Sequence, residues 1–126
     1  MSLIVVIEDN PDSARLAARI LQREGFEVTI ADEGELGLQI ALESQPALIL
    51  VDLGLPDLDG QTVVAMLRQN AHIDHVPIIA FTAWPEQTAE EMALAYGCDG
   101  IISKPIDTRR FAEQVKAFLK ADIRRT

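Results

Sequence analysis

Three carboxylates, one hydroxyl and one ammonium hold matching places in this chain, at or just past the end of an apolar run. Leu3-Ile4-Val5-Val6-Ile7 leads into Glu8-Asp9, and Ala47-Leu48-Ile49-Leu50-Val51 into Asp52. Ile78-Ile79-Ala80-Phe81 leads into Thr82, and the short run Ile101-Ile102 into Ser103-Lys104-Pro105. If these runs are strands of one parallel sheet, their ends line one pocket. Carboxylates crowded together repel, and a shared cation or a raised pKa relieves them. An all-oxygen site with room for water suits Mg²⁺. That ion would offset the charge of an incoming phosphoryl group and align it with a carboxylate nucleophile. Asp52 is the natural nucleophile, because aspartate can form an acyl phosphate. Lys104 offers a point charge for a phosphoryl oxygen and Thr82 a hydroxyl donor. Each residue alone has an ordinary explanation as loop or strand-end polarity. Their shared placement points to phosphoryl transfer.

The elements that would position them alternate five times. Strands are predicted near 3–7, 26–30, 47–51, 77–81 and 100–103, and helices near 11–24, 34–44, 59–69, 85–96 and 107–121. Such alternation implies βαβ units, a parallel sheet and helices on both faces. The first, third and fourth strands are continuously apolar, as strands buried on both faces are. The second, Phe26-Glu27-Val28-Thr29-Ile30, alternates and the fifth is short, so both are expected at edges. The predicted fold is therefore a doubly wound, flavodoxin-like sheet in the order 2-1-3-4-5. Its switch point lies between strands one and three, where Glu8, Asp9 and Asp52 fall. Asn10 and Pro11 are expected to cap and open the first helix, and Gly25 to close it. Trp84-Pro85-Glu86 is expected to open the fourth helix in the same way, with Gly97 ending it. Gly34 and Gly37 weaken the start of the second helix, by up to ~1 kcal/mol each relative to alanine.

The totals set bounds. A chain of 126 residues, 48% hydrophobic, is sized for a single domain spanning 1–126. No apolar run reaches the roughly 20 residues needed to span a bilayer, and no secretory signal is expected at the N-terminus. A net charge of −9 argues against nucleic acid as a direct ligand. The charge is uneven: seven basic residues against three acidic from Lys104 onward leave that tail at +4 and residues 1–103 at −13. Cations suit the end of a last helix, and a partner-docking face is the sharper reading. Cys98 is the one cysteine, which excludes an intrachain disulfide and fits an acidic cytoplasmic protein. A small buried thiol is its expected role. His72 and His75 have no Cys/His cluster around them and read as surface residues.

With these residues in hand, the chain resembles the receiver domain of bacterial two-component response regulators (CheY-like) over nearly its whole length. The matching stretches are Val5-Val6-Ile7-Glu8-Asp9-Asn10, Val51-Asp52-Leu53-Gly54-Leu55-Pro56 with Gly60, Ile79-Ala80-Phe81-Thr82-Ala83, and Ser103-Lys104-Pro105. The resemblance implies that Asp52 accepts a phosphoryl group from a phosphohistidine on a sensor histidine kinase or histidine phosphotransfer protein. It implies Asp9 as a direct Mg²⁺ ligand, Glu8 acting through water, and the backbone carbonyl of Gly54 as a further ligand. Thr82 and Lys104 would hold the phosphoryl oxygens, and the peptide before Pro105 would be cis. The kinase would dock beside the first helix, where Arg15, Arg19 and Arg23 form a stripe that a solvated face explains equally well. A downstream protein would dock on the fourth helix, fifth strand and fifth helix. Two positions depart from the family pattern. Ile101 stands where the family usually has Tyr or Phe, so the aromatic partner of Thr82 is missing. Trp84, two residues past Thr82, could restrict the water that hydrolyses the acyl phosphate, or could simply pack at the start of the fourth helix. A rival reading is a haloacid-dehalogenase-like phosphatase, which would need a second aspartate where Gly54 stands. Another is a receiver cut from a hybrid kinase or larger regulator.

Overall fold

The computed structural model describes residues 2–121. The strands are β1 (Leu3–Ile7), β2 (Glu27–Ala31), β3 (Leu48–Val51), β4 (Ile78–Thr82) and β5 (Gly100–Ser103). Between and after them run α1 (Pro11–Arg23), α2 (Gly34–Glu43), α3 (Gly60–Arg68), α4 (Glu86–Tyr96) and α5 (Phe111–Ala121). All strand pairings are parallel, in the order β2-β1-β3-β4-β5. This is the expected doubly wound sheet, with β2 and β5 at its edges.

Strand alternation splits the core in two. Val5, Ile7, Ile49, Val51, Ile78 and Ala80 face α2, α3 and α4. Ile4, Val6, Leu48, Leu50, Ile79 and Phe81 face α1 and α5. A period of two therefore sends each central strand's apolar residues to both faces, which is why those strands read as unbroken apolar runs. Burying one such large side chain contributes roughly 1.5–3 kcal/mol. α2 comes unusually close to the sheet: a Cβ on Gly37 would lie 2.5 Å from Ile7 Cδ1. The glycines that weaken this helix are thus what lets it pack.

Helix ends follow local chemistry. Asn10 Oδ1 accepts from the Asp12 and Ser13 N–H groups, with Pro11 in the first helical position. α1 closes with Gly25 at φ +93°, Phe26 N–H donating to Leu21 O and Gly25 N–H to Gln22 O. This double closure needs a left-handed residue at its centre, and glycine adopts that conformation without strain. Because Phe26 belongs to the closure, β2 begins one residue later than predicted. Its burial does not alternate cleanly either: only Ala31 is buried.

Two predicted helix starts are corrected. Pro85 sits before α4 with an extended ψ of 139°, so Glu86 opens the helix. α5 begins at Phe111, not 107. The Asp107 carboxylate accepts from Arg109 N–H, and the Asp107 carbonyl from Arg110 and Phe111 N–H. A short acidic side chain that satisfies its own backbone competes with the helix there. β4 also extends to include Thr82. Part of the basic tail, Arg124 and Arg125, lies outside the described residues.

The ends of β4 and β5 away from the acidic residues are stapled by Arg68, at the last turn of α3. Its guanidinium donates to Gly97 O at 3.1 Å, Asp74 O at 3.0 Å, Val76 O at 2.8 Å and Asp99 Oδ2 at 2.7 Å. Asp99 Oδ2 also accepts from Ile78 N–H at 2.9 Å. The fork geometry of arginine lets one side chain join α3, the α4–β5 turn and the start of β4.

Candidate functional site

The C-terminal ends of β1, β3, β4 and β5 gather Glu8, Asp9, Asp52, Thr82 and Lys104. Sheet pairing does the positioning: Glu8 N–H donates to Ala31 O, Asp52 N–H to Ile7 O and Lys104 N–H to Thr82 O. The last of these, at 2.7 Å, sets Lys104 beside the end of β4. The Lys104–Pro105 peptide is cis, as the family resemblance implies.

Lys104 Nζ donates to Glu8 Oε2 at 2.7 Å and to Asp52 Oδ2 at 3.3 Å. It also lies 5.1 Å from the centroid of the Phe81 ring, whose face attracts a cation. Glu8 is 1% exposed, and its other oxygen accepts from Asn10 N–H at 3.0 Å. Asp52 Oδ1 accepts from Gly54 N–H at 2.9 Å. Asp9 is exposed at the pocket rim. One ligand oxygen from each of Glu8, Asp9 and Asp52 falls within 4.8 Å of the others. Thr82 is 1% exposed, and its hydroxyl oxygen accepts from Trp84 N–H at 3.0 Å.

The electrostatics are lopsided: three carboxylates share the site with one ammonium, which contacts Glu8 and Asp52. Burial pushes the Glu8 carboxyl above its ordinary value, although bonds from Lys104 and Asn10 work against that shift. Burial also penalises the Lys104 charge, yet its bonds to Glu8 and Asp52 outweigh the penalty and raise it. The donor set of carboxylates on a partly open rim fits a hard divalent cation such as Mg²⁺. Gly54, offered as a backbone ligand, sits exposed two residues past Asp52.

The side chains of Glu8, Asp9, Asp52, Thr82 and Lys104 thus meet at one end of the sheet. Sequence reasoning missed several of their supports. Phe81 beneath Lys104 was read only as core. Asn10 was read only as a cap, though its N–H also fixes Glu8. Asp57 was not singled out, yet its carboxylate takes the first N–H groups of α2 at 2.8 and 3.0 Å. No local pattern marks it, since its partners lie 22 and 23 residues away.

The departures from the family pattern are visible as well. Ile101 is half-buried and packs against the α2–α4 side of the core. It also lines a cavity of about 380 Å³ between α4, β5 and α5, together with Leu94 and Phe118. Trp84 is 37% exposed at the head of α4.

The family model of the response regulator receiver domain matches residues 4–116, and the chain belongs to this family. The Polar-differentiation response regulator DivK of Brucella ovis is 34% identical over 116 residues, covering 92% of this chain and 94% of that protein. A putative response regulator from Chloroflexus aurantiacus superposes with a TM-score of 0.88 at 26% identity, over 94% of this chain and 97% of that one. A CheY-like receiver domain protein from Methanospirillum hungatei gives 0.88 at 25% identity, covering 100% of this chain and 99% of its own. The chain is a receiver, a phosphorylation-dependent signalling switch of two-component systems, and not a member of a classical enzyme family. Among the described residues no helix is long and apolar enough to cross a membrane.

Proposed function

We propose that Asp52 is the phosphoacceptor of this receiver and that the whole chain, 1–126, works as a single receiver domain. The observation that carries the reading is the buried contact of Lys104 with both Glu8 and Asp52, beside Asp9. In the transfer, an Asp52 carboxylate oxygen attacks the phosphorus of a phosphohistidine on a histidine kinase or phosphotransfer protein. The P–N bond breaks, the imidazole, already protonated on its other ring nitrogen, leaves neutral, and Asp52 becomes an acyl phosphate. Lys104 and Thr82 would hold phosphoryl oxygens, Lys104 by giving up its bond to Asp52 and Thr82 by turning its hydroxyl from Trp84 N–H. Asp9, Asp52 and the Gly54 carbonyl would hold Mg²⁺ directly, with Glu8 reaching it through water while its carboxylate anchors Lys104. When bound, that ion supplies charge neutralisation for the transferring group.

Partner binding then changes with the phosphorylation state, as any two-state switch requires. The donor would dock beside α1, where Arg15, Arg19 and Arg23 are exposed. The downstream protein would dock on the α4-β5-α5 face. No nucleic acid or membrane insertion is involved, and the cytoplasm is the compartment that suits these partners. The chemistry is limited to the chain's own phosphorylation and dephosphorylation. A haloacid-dehalogenase-like phosphatase is disfavoured, because Gly54 stands where its acid/base aspartate would be.

The test is intact-mass measurement after incubation with acetyl phosphate and Mg²⁺. The wild-type chain should gain one phosphoryl group and Asp52→Asn none. Full labelling of the variant would put the nucleophile elsewhere, and steady release of phosphate from a phosphomonoester would favour the phosphatase.

A further inference from the structure

We propose that Asp57 is a positioning residue that couples the state of the Asp52 pocket to the first turn of α2, an inference that rests on Asp52 being the phosphoacceptor. α2 has no cap of its own, since Glu33 makes no side-chain bond to the helix. Instead Asp57 Oδ1 accepts from Gly34 N–H at 2.8 Å and Oδ2 from Glu35 N–H at 3.0 Å. Both oxygens of a carboxylate on the β3–α3 loop therefore serve a different helix. The anion also meets the positive end of that helix dipole. These backbone bonds hold the Asp57 carboxyl below its ordinary value.

The start of α2 is fastened to this loop by packing too. A Cβ on Gly34 would lie 2.9 Å from Val63 Cγ2 and 3.1 Å from Leu58 Cβ. With glycines at 34 and 37, the first turn has little intrinsic helix preference and depends on what the loop provides.

The other end of the same loop reads the pocket. Gly54 N–H donates to Asp52 Oδ1, so the backbone at Gly54 is set by a free carboxylate oxygen. Converting that carboxylate to an acyl phosphate removes its charge and weakens the bond. Gly54 lies three residues from Asp57, at most about 10–11 Å of extended chain. A displacement at Gly54 therefore has only a short stretch of backbone to cross before reaching Asp57. Asp59 makes a contrast: it caps α3 through Thr62 N–H, within its own segment, and travels with its helix. Asp57 bridges two elements and must strain or release. This route needs no ring at position 101, so it supplies a way to report phosphorylation that Ile101 cannot.

Amide hydrogen exchange at Gly34 and Glu35, before and after acetyl phosphate with Mg²⁺, tests the coupling while intact mass reports occupancy of Asp52. In the wild-type chain phosphorylation should speed exchange at both amides roughly five- to tenfold, as loss of a helix N-cap would. The Thr62 amide, held by Asp59, should not change. In Asp57→Ala the two amides should exchange fast from the outset and respond no further. Asp57→Asn, which keeps one acceptor oxygen, should fall between and serves if the alanine variant does not fold. A phosphorylated wild-type chain with unchanged α2 amides would overturn the coupling, as would a full response surviving in Asp57→Ala. A wild-type chain that takes up no phosphate would overturn the phosphoacceptor reading itself, and the coupling with it.

Discussion

The two ends of β4 and β5 each carry a buried cation against carboxylate, and they are built for opposite purposes. At the far end, Arg68 donates to the Asp99 carboxylate and to three backbone carbonyls. Its side chain is 14% exposed and that of Asp99 7%. The planar fork fixes the geometry there. At the near end Lys104, a compact point charge, is shared between Glu8 and Asp52 with Asp9 close by. Negative charge is in excess, and one contact is long at 3.3 Å. A forked set of bonds suits holding the fold, and a point charge shared among carboxylates suits the uptake of a divalent cation. The same strands thus carry a staple at one end and the candidate site at the other.

Stability measurements can break this contrast most directly. Urea unfolding of Arg68→Ala or Asp99→Ala should show a loss of about 3–5 kcal/mol, the usual result of leaving one buried charge without its partner. Arg68→Lys should recover little of it, because an ammonium cannot make the forked set of bonds. Asp52→Asn should act with the opposite sign in Mg²⁺-free buffer, raising stability by about 1 kcal/mol as like-charge repulsion is relieved. A loss at Asp52 as large as that at Asp99 would mean that both ends are structural staples.

Trp84 tests how far the chemical end is tuned beyond charge. Its N–H already holds the Thr82 hydroxyl, so the start of α4 is tied to the pocket. The residue is 37% exposed, and its ring is expected to limit water at the rim. The acyl phosphate of Trp84→Ala should decay about threefold faster than that of the wild-type chain, about 0.7 kcal/mol in barrier. Equal or slower decay would leave the ring a packing role at the head of the helix.

What could be read from residues alone follows from how local each feature is. The site was legible because each of its side chains ends an apolar run, and parallel strands carry such ends to one edge. The central strands were legible because burial on both faces leaves them no polar positions. The start of α5 was not, because Asp107 satisfies its own backbone, a competition that helix periodicity does not reveal. The Arg68–Asp99 staple was not, since 31 residues separate its partners and neither stands at a motif. The supports of the site were harder to read than the site: Asp57 and Asn10 act through backbone bonds, which leave little mark on composition.

Acid titration gives the finest division between the two ends. Asp57 and Asp59 both accept backbone N–H bonds at helix starts on the chemical side, and those bonds hold their carboxyls below the ordinary value of 3.8. A carboxyl depressed in the folded state stabilises it above the unfolded pKa, and this contribution is lost as pH falls through the folded value. Acidification below about pH 4 should therefore loosen the first turns of α2 and α3 before the rest of the chain. At the other end, three of the groups that receive Arg68 are peptide carbonyls, which have no proton to take up in this range. Amide protection of the last turn of α3 and of the first residues of β4 should persist where the first turns have lost theirs. Asp59→Asn, a cap without a titrating proton, should keep the α3 first turn protected across the same range and leave α2 to respond alone. Simultaneous loss at both ends, or an acid response at α3 unchanged in that variant, would show that the caps and the staple unfold as one unit and that the division does not reach the helices.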